Sequence, residues 1–220
     1  MSEHLFTIAP YVAVFCFVAV STLRLTSGRE IVGQHHRGGS PIARTLLVFS
    51  WLTVVAVHIA LIVTPDRFAA STRALHRLIA IEIVLLTCGL GILVGLVSSI
   101  AGRLRKAQHS GLHGADAAFL GVLVIAVISG VVTALLYRWA LAWSAVTLSP
   151  YVHSLLTRQP AAQIVVALPY VVRLHILSGI ALVALFPFTR PAHVLFFEIH
   201  RAVSVMLTRC SRRLRTGNSH

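Results

Sequence analysis

The chain has 220 residues, of which 57% are hydrophobic and only 11% are charged, and its mean hydropathy is +0.85. A soluble domain cannot bury that much apolar surface, so the composition excludes an ordinary soluble protein and indicates several membrane crossings. The net charge of +13 would suit a nucleic-acid partner, but the arginines flank long apolar runs. We therefore interpret the charge as a topology signal and expect membrane lipid, not nucleic acid, as a partner.

Five apolar runs are long enough to cross a bilayer as helices, and they are too long and continuous for barrel strands. No basic region precedes the first run and no small-residue cleavage site follows it, so we expect it to be retained. The prediction is a single all-α integral membrane domain, 1–220, built as a bundle of five transmembrane helices. Its basic tail, about 194–220, is expected to contact anionic lipid or a cytoplasmic subunit. The predicted spans are 7–25, 45–64, 78–100, 116–137 and 165–189.

Basic residues are divided unequally between the two sides of these spans. Thirteen of the 19 lysines and arginines fall in the first loop, the third loop and the tail, and the other six lie on the opposite side. The positive-inside rule therefore predicts an N-terminus outside and a C-terminus in the cytoplasm. The stretch 141–168 is too interrupted to span the membrane, and we expect it to include a short helix on the outer surface.

Two histidines, His58 and His175, lie within predicted spans two and five. The two spans run in opposite directions, and both histidines are expected at similar depth in the outer half of the membrane. Histidines in membrane helices are rare and usually functional, and a pair on two helices is a natural set of axial ligands for haem iron. The alternative is a pair that is hydrogen-bonded within the bundle. His193, at the cytoplasmic end of span five, is either a further ligand or an interfacial side chain.

Three charged side chains near the ends of the spans are further candidates for the site. Glu82 is costly inside a membrane, so it should accept a proton from a substrate or form a salt bridge to Arg73 or Arg77. Arg173 and Arg190 could each bind a haem propionate through charge-assisted hydrogen bonds. The alternative for each arginine is to extend its charged end to the membrane surface.

The sequence around His175 resembles the gamma subunit of respiratory nitrate reductase, the cytochrome b membrane anchor of that enzyme. The resemblance is carried by Arg-Leu-His at 173–175 and by Leu-Phe-Pro-Phe-Thr-Arg-Pro-Ala-His at 185–193. It is supported by His58 and the Thr-Pro at 64–65, by Gly-Ala-Asp at 114–116 and by Ser-Pro-Tyr at 149–151. It extends over most of the chain, with five spans, an outer N-terminus and a similar length.

In that family four histidines hold two b-type haems. The resemblance implies that His58 and His175 hold the haem nearer the outer face. The other haem would use His193 and a histidine ten residues before His58, where this chain has Val48. Three outcomes remain open: a single haem, a second haem on His193 alone, or a replacement ligand from an inner loop. An efficient electron pathway favours a haem held through His193. The candidate replacement ligands are His35, His36, His109 and His113.

The resemblance also implies a quinol site at the outer start of span three, where His76, Arg77 and Glu82 fall. The predicted protein oxidises quinol near the outer face of a bacterial or archaeal cell membrane and passes electrons through haem b. The electrons would enter an iron–sulfur subunit and then a catalytic subunit on the cytoplasmic side, with nitrate as the acceptor that the resemblance implies.

The chain is then an electron-transfer subunit and not a complete enzyme. It has no nucleophile–base constellation, and its cysteines are too scattered to hold an iron–sulfur cluster. Two other functions remain open from the sequence. One is a cytochrome b anchor for another complex, such as a hydrogenase or a heterodisulfide-reductase-like module, and the other is a haem-free membrane anchor. The scattered cysteines are Cys16, Cys88 and Cys210.

Overall fold

The computed structural model describes residues 3–27, 41–106, 114–137 and 139–189. Within these ranges the chain is helical and has no strand, which confirms the predicted fold class. A 3₁₀ turn, Phe186–Phe188, follows the last of the described helices. The helices are α1 (Glu3–Ser27), α2 (Pro41–Val63), α3 (Pro65–Thr72), α4 (Leu75–Lys106), α5 (Gly114–Leu136), α6 (Ala140–Leu156), α7 (Ala162–Val166) and α8 (Tyr170–Leu185).

Five of these helices, α1, α2, α4, α5 and α8, are long and apolar enough to cross a membrane. The protein is therefore a multi-pass membrane protein, as the sequence predicts. The first four spans agree with the predicted ones to about four residues. The last one starts later than predicted, because the chain is extended at Pro169, where φ is −56° and ψ is 149°. Proline has no N–H to continue a helix, so α7 ends at Val166 and α8 begins at Tyr170.

The spanning helices pack side by side in the order α2, α4, α5, α8, α1. Glycines on α4 allow two of these contacts to be close. A Cβ atom on Gly91 would lie 2.6 Å from the hydroxyl oxygen of Ser50 on α2, and one on Gly89 would lie 2.9 Å from a methyl group of Val131 on α5. Small residues let membrane helices approach closely enough for their backbones to pack. His58 is on α2 and His175 is on α8, so the two histidines lie on helices that are not neighbours in this order.

One end of the bundle carries the short helices α3, α6 and α7, and we call this end the α6 face. Ala145 of α6 packs against Leu61 near the end of α2 and against Phe68 of α3. Tyr151, further along α6, packs against Phe6 at the start of α1. Because α6 contacts the ends of two spanning helices, it runs across this end of the bundle. This agrees with the expected short helix in the stretch 141–168.

A proline in α1 explains why α6 is attached at Tyr151. Pro10 has no N–H, so it cannot donate to the carbonyl of Phe6, which lies four residues earlier. The hydroxyl of Tyr151 donates to that carbonyl at 2.7 Å, and both residues are almost fully buried. Burial also raises the pKa of Tyr151 to about 12, so its hydroxyl is less acidic than that of an exposed tyrosine. The hydroxyl of Tyr11 in turn donates to the carbonyl of Leu155 at 2.9 Å.

We expect Tyr151→Phe to lower the free energy of unfolding by about 1–3 kcal/mol, because the buried carbonyl of Phe6 loses its donor. Tyr11→Phe is a matched control, since the carbonyl of Leu155 still accepts a hydrogen bond from the N–H of Arg158 at 3.2 Å. Thermal unfolding of both variants in detergent measures the difference. Equal losses in the two variants would contradict the special role of Tyr151.

Candidate functional site

His58 and His175 lie at the same depth below the α6 face. His58 is five residues before the end of α2 at Val63, and His175 is five residues after the start of α8 at Tyr170. At about 1.5 Å per residue, each histidine lies roughly 7–8 Å inside the end of its helix. The start of α8 is at the α6 face because α7, directly before it, packs on the start of α1. The equal depth is the one that the sequence predicts.

The structure brings the two imidazole rings together. Their centres are 6.0 Å apart and their planes are inclined by 52°. His58 is exposed, whereas His175 is partly buried among its neighbours. Since α2 packs mainly on α4 and α8 packs mainly on α5 and α1, the rings meet across a space between α2 and α8.

Backbone carbonyls determine which nitrogen of each ring carries the proton. The Nδ1 atom of His58 lies 2.7 Å from the carbonyl oxygen of Val54. The Nδ1 atom of His175 lies 2.8 Å from the carbonyl oxygen of Ala126. A carbonyl oxygen only accepts hydrogen bonds, so each Nδ1 is the donor and each Nε2 keeps a free lone pair. Metal-binding histidines are commonly oriented in this way.

The donor set fits haem iron. A bond between a metal and an imidazole nitrogen is about 2 Å long, so two rings on one ion have their centres roughly 6 Å apart. The observed separation is 6.0 Å. Among the described residues, no group of three or more His, Cys, Asp or Glu side chains could hold a metal ion by itself. Histidine side chains are common protein ligands of haem iron, so His58 and His175 could hold this group without a third metal-binding side chain.

Arg173 lies two residues before His175 on α8. Its Nε atom is buried and has no hydrogen-bond partner among the described residues. Its guanidinium carbon lies 5.9 Å from the ring centre of Tyr170. A buried donor without an acceptor is destabilising, and an anionic group at this position would satisfy it. This fits the predicted contact with a haem propionate. Arg190, the other predicted propionate ligand, lies outside the described residues.

Helix α2 has no second histidine that could bind the iron of a second haem. Val48 lies ten residues before His58, about three helical turns away, and its side chain is half exposed. A valine side chain has no atom that can bind iron. The predicted ligand His193 lies outside the described residues, as do the candidate replacements His35, His36, His109 and His113.

Glu82 connects two helices. Its carboxylate accepts hydrogen bonds from the backbone N–H groups of Trp139 and Leu141, at the N-terminus of α6. Trp139 is in the left-handed region with φ of 65°, and α6 has no capping side-chain hydrogen bond from Trp139. Glu82 on α4 therefore caps α6, and its negative charge suits the positive end of that helix. In the described part of the chain it forms no ion pair with Arg73 or Arg77.

His76 and Arg77 lie in the first turn of α4, and both are exposed. They are at the same end of the helix as Glu82, but the structure does not join the three residues into one hydrogen-bonded cluster in its described part. The predicted quinol residues thus share the α6 face.

Three residues of α5, Ala126, Ser129 and Gly130, lie against the His175 ring. The sequence analysis did not identify them as part of the site. Besides the carbonyl of Ala126, the hydroxyl oxygen of Ser129 lies 3.4 Å from Nδ1 of His175. A Cβ atom on Gly130 would lie 2.8 Å from Cε1 of the ring. The sequence feature that could have identified them is the Ser-Gly pair at 129–130 in the middle of an apolar span.

At the opposite end of the bundle, contacts from α1 hold the end of α8. The ring of Phe186 stacks on that of Phe17 with a centre-to-centre distance of 6.3 Å. The Nη1 group of Arg24 donates to the carbonyl of Thr189 at 3.2 Å. The same guanidinium also interacts electrostatically with the carboxylate of Asp116 at the start of α5. These contacts join the end of α8 to α1, and α1 to the start of α5.

Comparison with known proteins gives one family match. Residues 2–206 match the family model described as nitrate reductase gamma subunit. This range includes all five spanning helices and both histidines of the pair. No curated protein matches the chain significantly.

We expect Glu82→Ala to destabilise α6, because the N–H groups of Trp139 and Leu141 lose their acceptor; removal of a cap costs about 0.5–2 kcal/mol. Glu82→Gln keeps an acceptor oxygen and should lose less. The measurements are thermal unfolding in detergent and the rate of trypsin cleavage at Arg158, an exposed residue just after α6. Unchanged unfolding and cleavage in Glu82→Ala would show that the cap does not stabilise α6.

Proposed function

The chain belongs to the nitrate reductase gamma subunit family, and we propose that it is a membrane cytochrome b subunit that carries electrons from quinol to its partner subunits. The observation that carries this proposal is the His58–His175 pair. The two rings are 6.0 Å apart, at equal depth on two spanning helices, and each has an Nε2 atom free to bind iron. The family implies association with iron–sulfur and catalytic subunits of a nitrate reductase.

A b-type haem held by this pair would supply a one-electron carrier inside the membrane. His58 and His175 would bind the iron through Nε2. The carbonyls of Val54 and Ala126 would hold the rings in one tautomer and increase the electron density at the binding nitrogen. Arg173, with its unpaired Nε–H group, would bind a propionate through a charge-assisted hydrogen bond.

The proposed quinol site is at the α6 face, next to the start of α4. Oxidation of a quinol releases two protons and two electrons, so the site needs a proton acceptor close to a one-electron carrier. The imidazole of His76 is an exposed acceptor, and the charge of Arg77 stabilises an ionised quinol oxygen. Glu82 acts as a further acceptor or, through its bonds to Trp139 and Leu141, holds α6 over the site.

The distribution of basic residues supports an orientation with the α6 face outside and the end of α8 in the cytoplasm. In this orientation, protons from quinol leave on the outer side and electrons move toward cytoplasmic partner subunits. The contacts of Arg24 with Thr189 would then stabilise the end of α8 on the partner side. Reporter fusions at both termini test the orientation. A reporter at His220 that faces outward would move the quinol site to the cytoplasmic side.

We expect His175→Ala and His58→Ala each to lose the low-spin haem band while the protein still inserts into the membrane. The reason is that each substitution removes one of the two histidines that would hold the haem. His153→Ala is the control, because His153 is an exposed residue of α6 outside the pair. Reduced-minus-oxidised optical spectra of the purified proteins measure the effect. A full band in either variant contradicts the ligand assignment, and wild-type protein without haem would favour a haem-free anchor.

The described residues do not fit a second haem with two histidine ligands, because Val48 stands where the resemblance implies the ligand on α2. We propose that a second haem is held through His193, and we expect a high-spin component that His193→Ala removes. Val48→His should convert that component to low-spin by supplying the missing ligand. Extracted haem per protein and optical spectra measure both effects. One haem per protein in both wild type and His193→Ala would rule out this second site.

A further inference from the structure

The His175 ring rests on one face of α5, a helix that supplies no ligand of the proposed pair. Ala126, Ser129 and Gly130 have the i, i+3, i+4 spacing that places residues on one helix face. All three lie close to the ring of His175. We call these three residues the α5 cradle.

The polar part of the α5 cradle faces Nδ1 of His175. The carbonyl oxygen of Ala126 accepts from Nδ1 at 2.8 Å, and the hydroxyl oxygen of Ser129 is 3.4 Å away. The single hydroxyl proton of Ser129 is directed to the carbonyls of Ile125, at 2.7 Å, and Ala126, at 3.0 Å. Its oxygen therefore has only lone pairs to offer the ring, and both groups favour a proton on Nδ1.

The steric part of the α5 cradle is Gly130. A Cβ atom there would lie 2.8 Å from Cε1 and 3.2 Å from Nδ1 of His175, and 3.6 Å from Nε2. Only the edge of the ring that carries the Nδ1 bond would be too close to this added atom. Any other residue at position 130 must push that edge away from α5 and stretch the bond to the Ala126 carbonyl.

We propose that the α5 cradle sets both the rotation and the tautomer of the His175 ring, so that Ser129 and Gly130 are positioning residues for the histidine pair. What the ring binds rests on the proposed function, whereas the orientation of the ring does not. Because α5 and α8 pack extensively against each other, the cradle holds His175 firmly. Among the described residues, the hydrogen bond that holds the ring of His58 comes from its own helix, from the carbonyl of Val54.

The chain offers a matched control for Gly130→Ala on the same helix. A Cβ atom on Gly121 would meet no atom within 4 Å. Gly121→Ala therefore changes the helix composition in the same way without touching the ring. Ser129→Ala is a second variant that adds no atoms and removes only the hydroxyl.

The first experiment uses haem-free protein in detergent, labelled with ¹⁵N-histidine. Nuclear magnetic resonance identifies the tautomer of His175, with His175→Ala to assign its signals. We expect the Nδ1–H tautomer in wild type and in Gly121→Ala, and we expect Gly130→Ala to lose it. A Gly130→Ala protein with the wild-type tautomer would overturn the proposal. So would an equal loss in Gly121→Ala, because the effect would then come from any change in α5.

The second experiment uses the haem-loaded protein and measures its optical spectrum, its electron paramagnetic resonance and its midpoint potential. Gly130→Ala should lose the low-spin signal, Ser129→Ala should shift the midpoint potential, and Gly121→Ala should match wild type in both. If Gly130→Ala does not fold, an unchanged potential and tautomer in Ser129→Ala overturn the proposal. If wild type binds no haem but Gly130→Ala still changes the tautomer, the proposed function fails and the α5 cradle stands.

Discussion

Inside a bilayer no water can replace a missing hydrogen bond, and the structure of this protein depends on that constraint. At three places where a helix is interrupted, begins or ends, a side chain from another helix satisfies the exposed backbone group. Tyr151 bonds the Phe6 carbonyl that Pro10 leaves free, and Glu82 bonds the N–H groups at the start of α6. Arg24 bonds the carbonyl of Thr189 just after the end of α8. These polar contacts connect parts of the chain that are far apart in sequence.

The same constraint prepares the histidine pair. A neutral imidazole brings one N–H group into the membrane, and His58 and His175 each give it to a main-chain carbonyl. In the described part of the chain, each ring thereby reaches a defined tautomer through a backbone carbonyl and not through a charged side chain. The bundle also positions one of the proposed ligands. The ring of His175 is held in place by α5, a helix that carries no proposed ligand itself.

Hydropathy was sufficient to predict five spans and a similar depth for His58 and His175, because both depend mainly on chain length and helix rise. It could not predict the break at Pro169, where one residue interrupts an otherwise continuous apolar run. The cap from Glu82 and the role of Gly130 also escaped prediction. Each depends on which helix faces which, and an apolar run of similar residues does not encode that choice in its pattern. His193 and Arg190 lie outside the described residues, so the predictions made for them stay predictions.

The order in which the spanning helices pack leaves α2 at one edge of the bundle, with α4 as its one extensive contact among the described spans. An iron ion bound by both His58 and His175 would join α2 to α8. The open row α2, α4, α5, α8 would then become a closed ring of four helices, with α1 outside it. Binding to the native state alone stabilises that state in proportion to ligand affinity. Cofactor insertion would thus be an assembly step, in which the first ligand-bearing helix is sealed against the last.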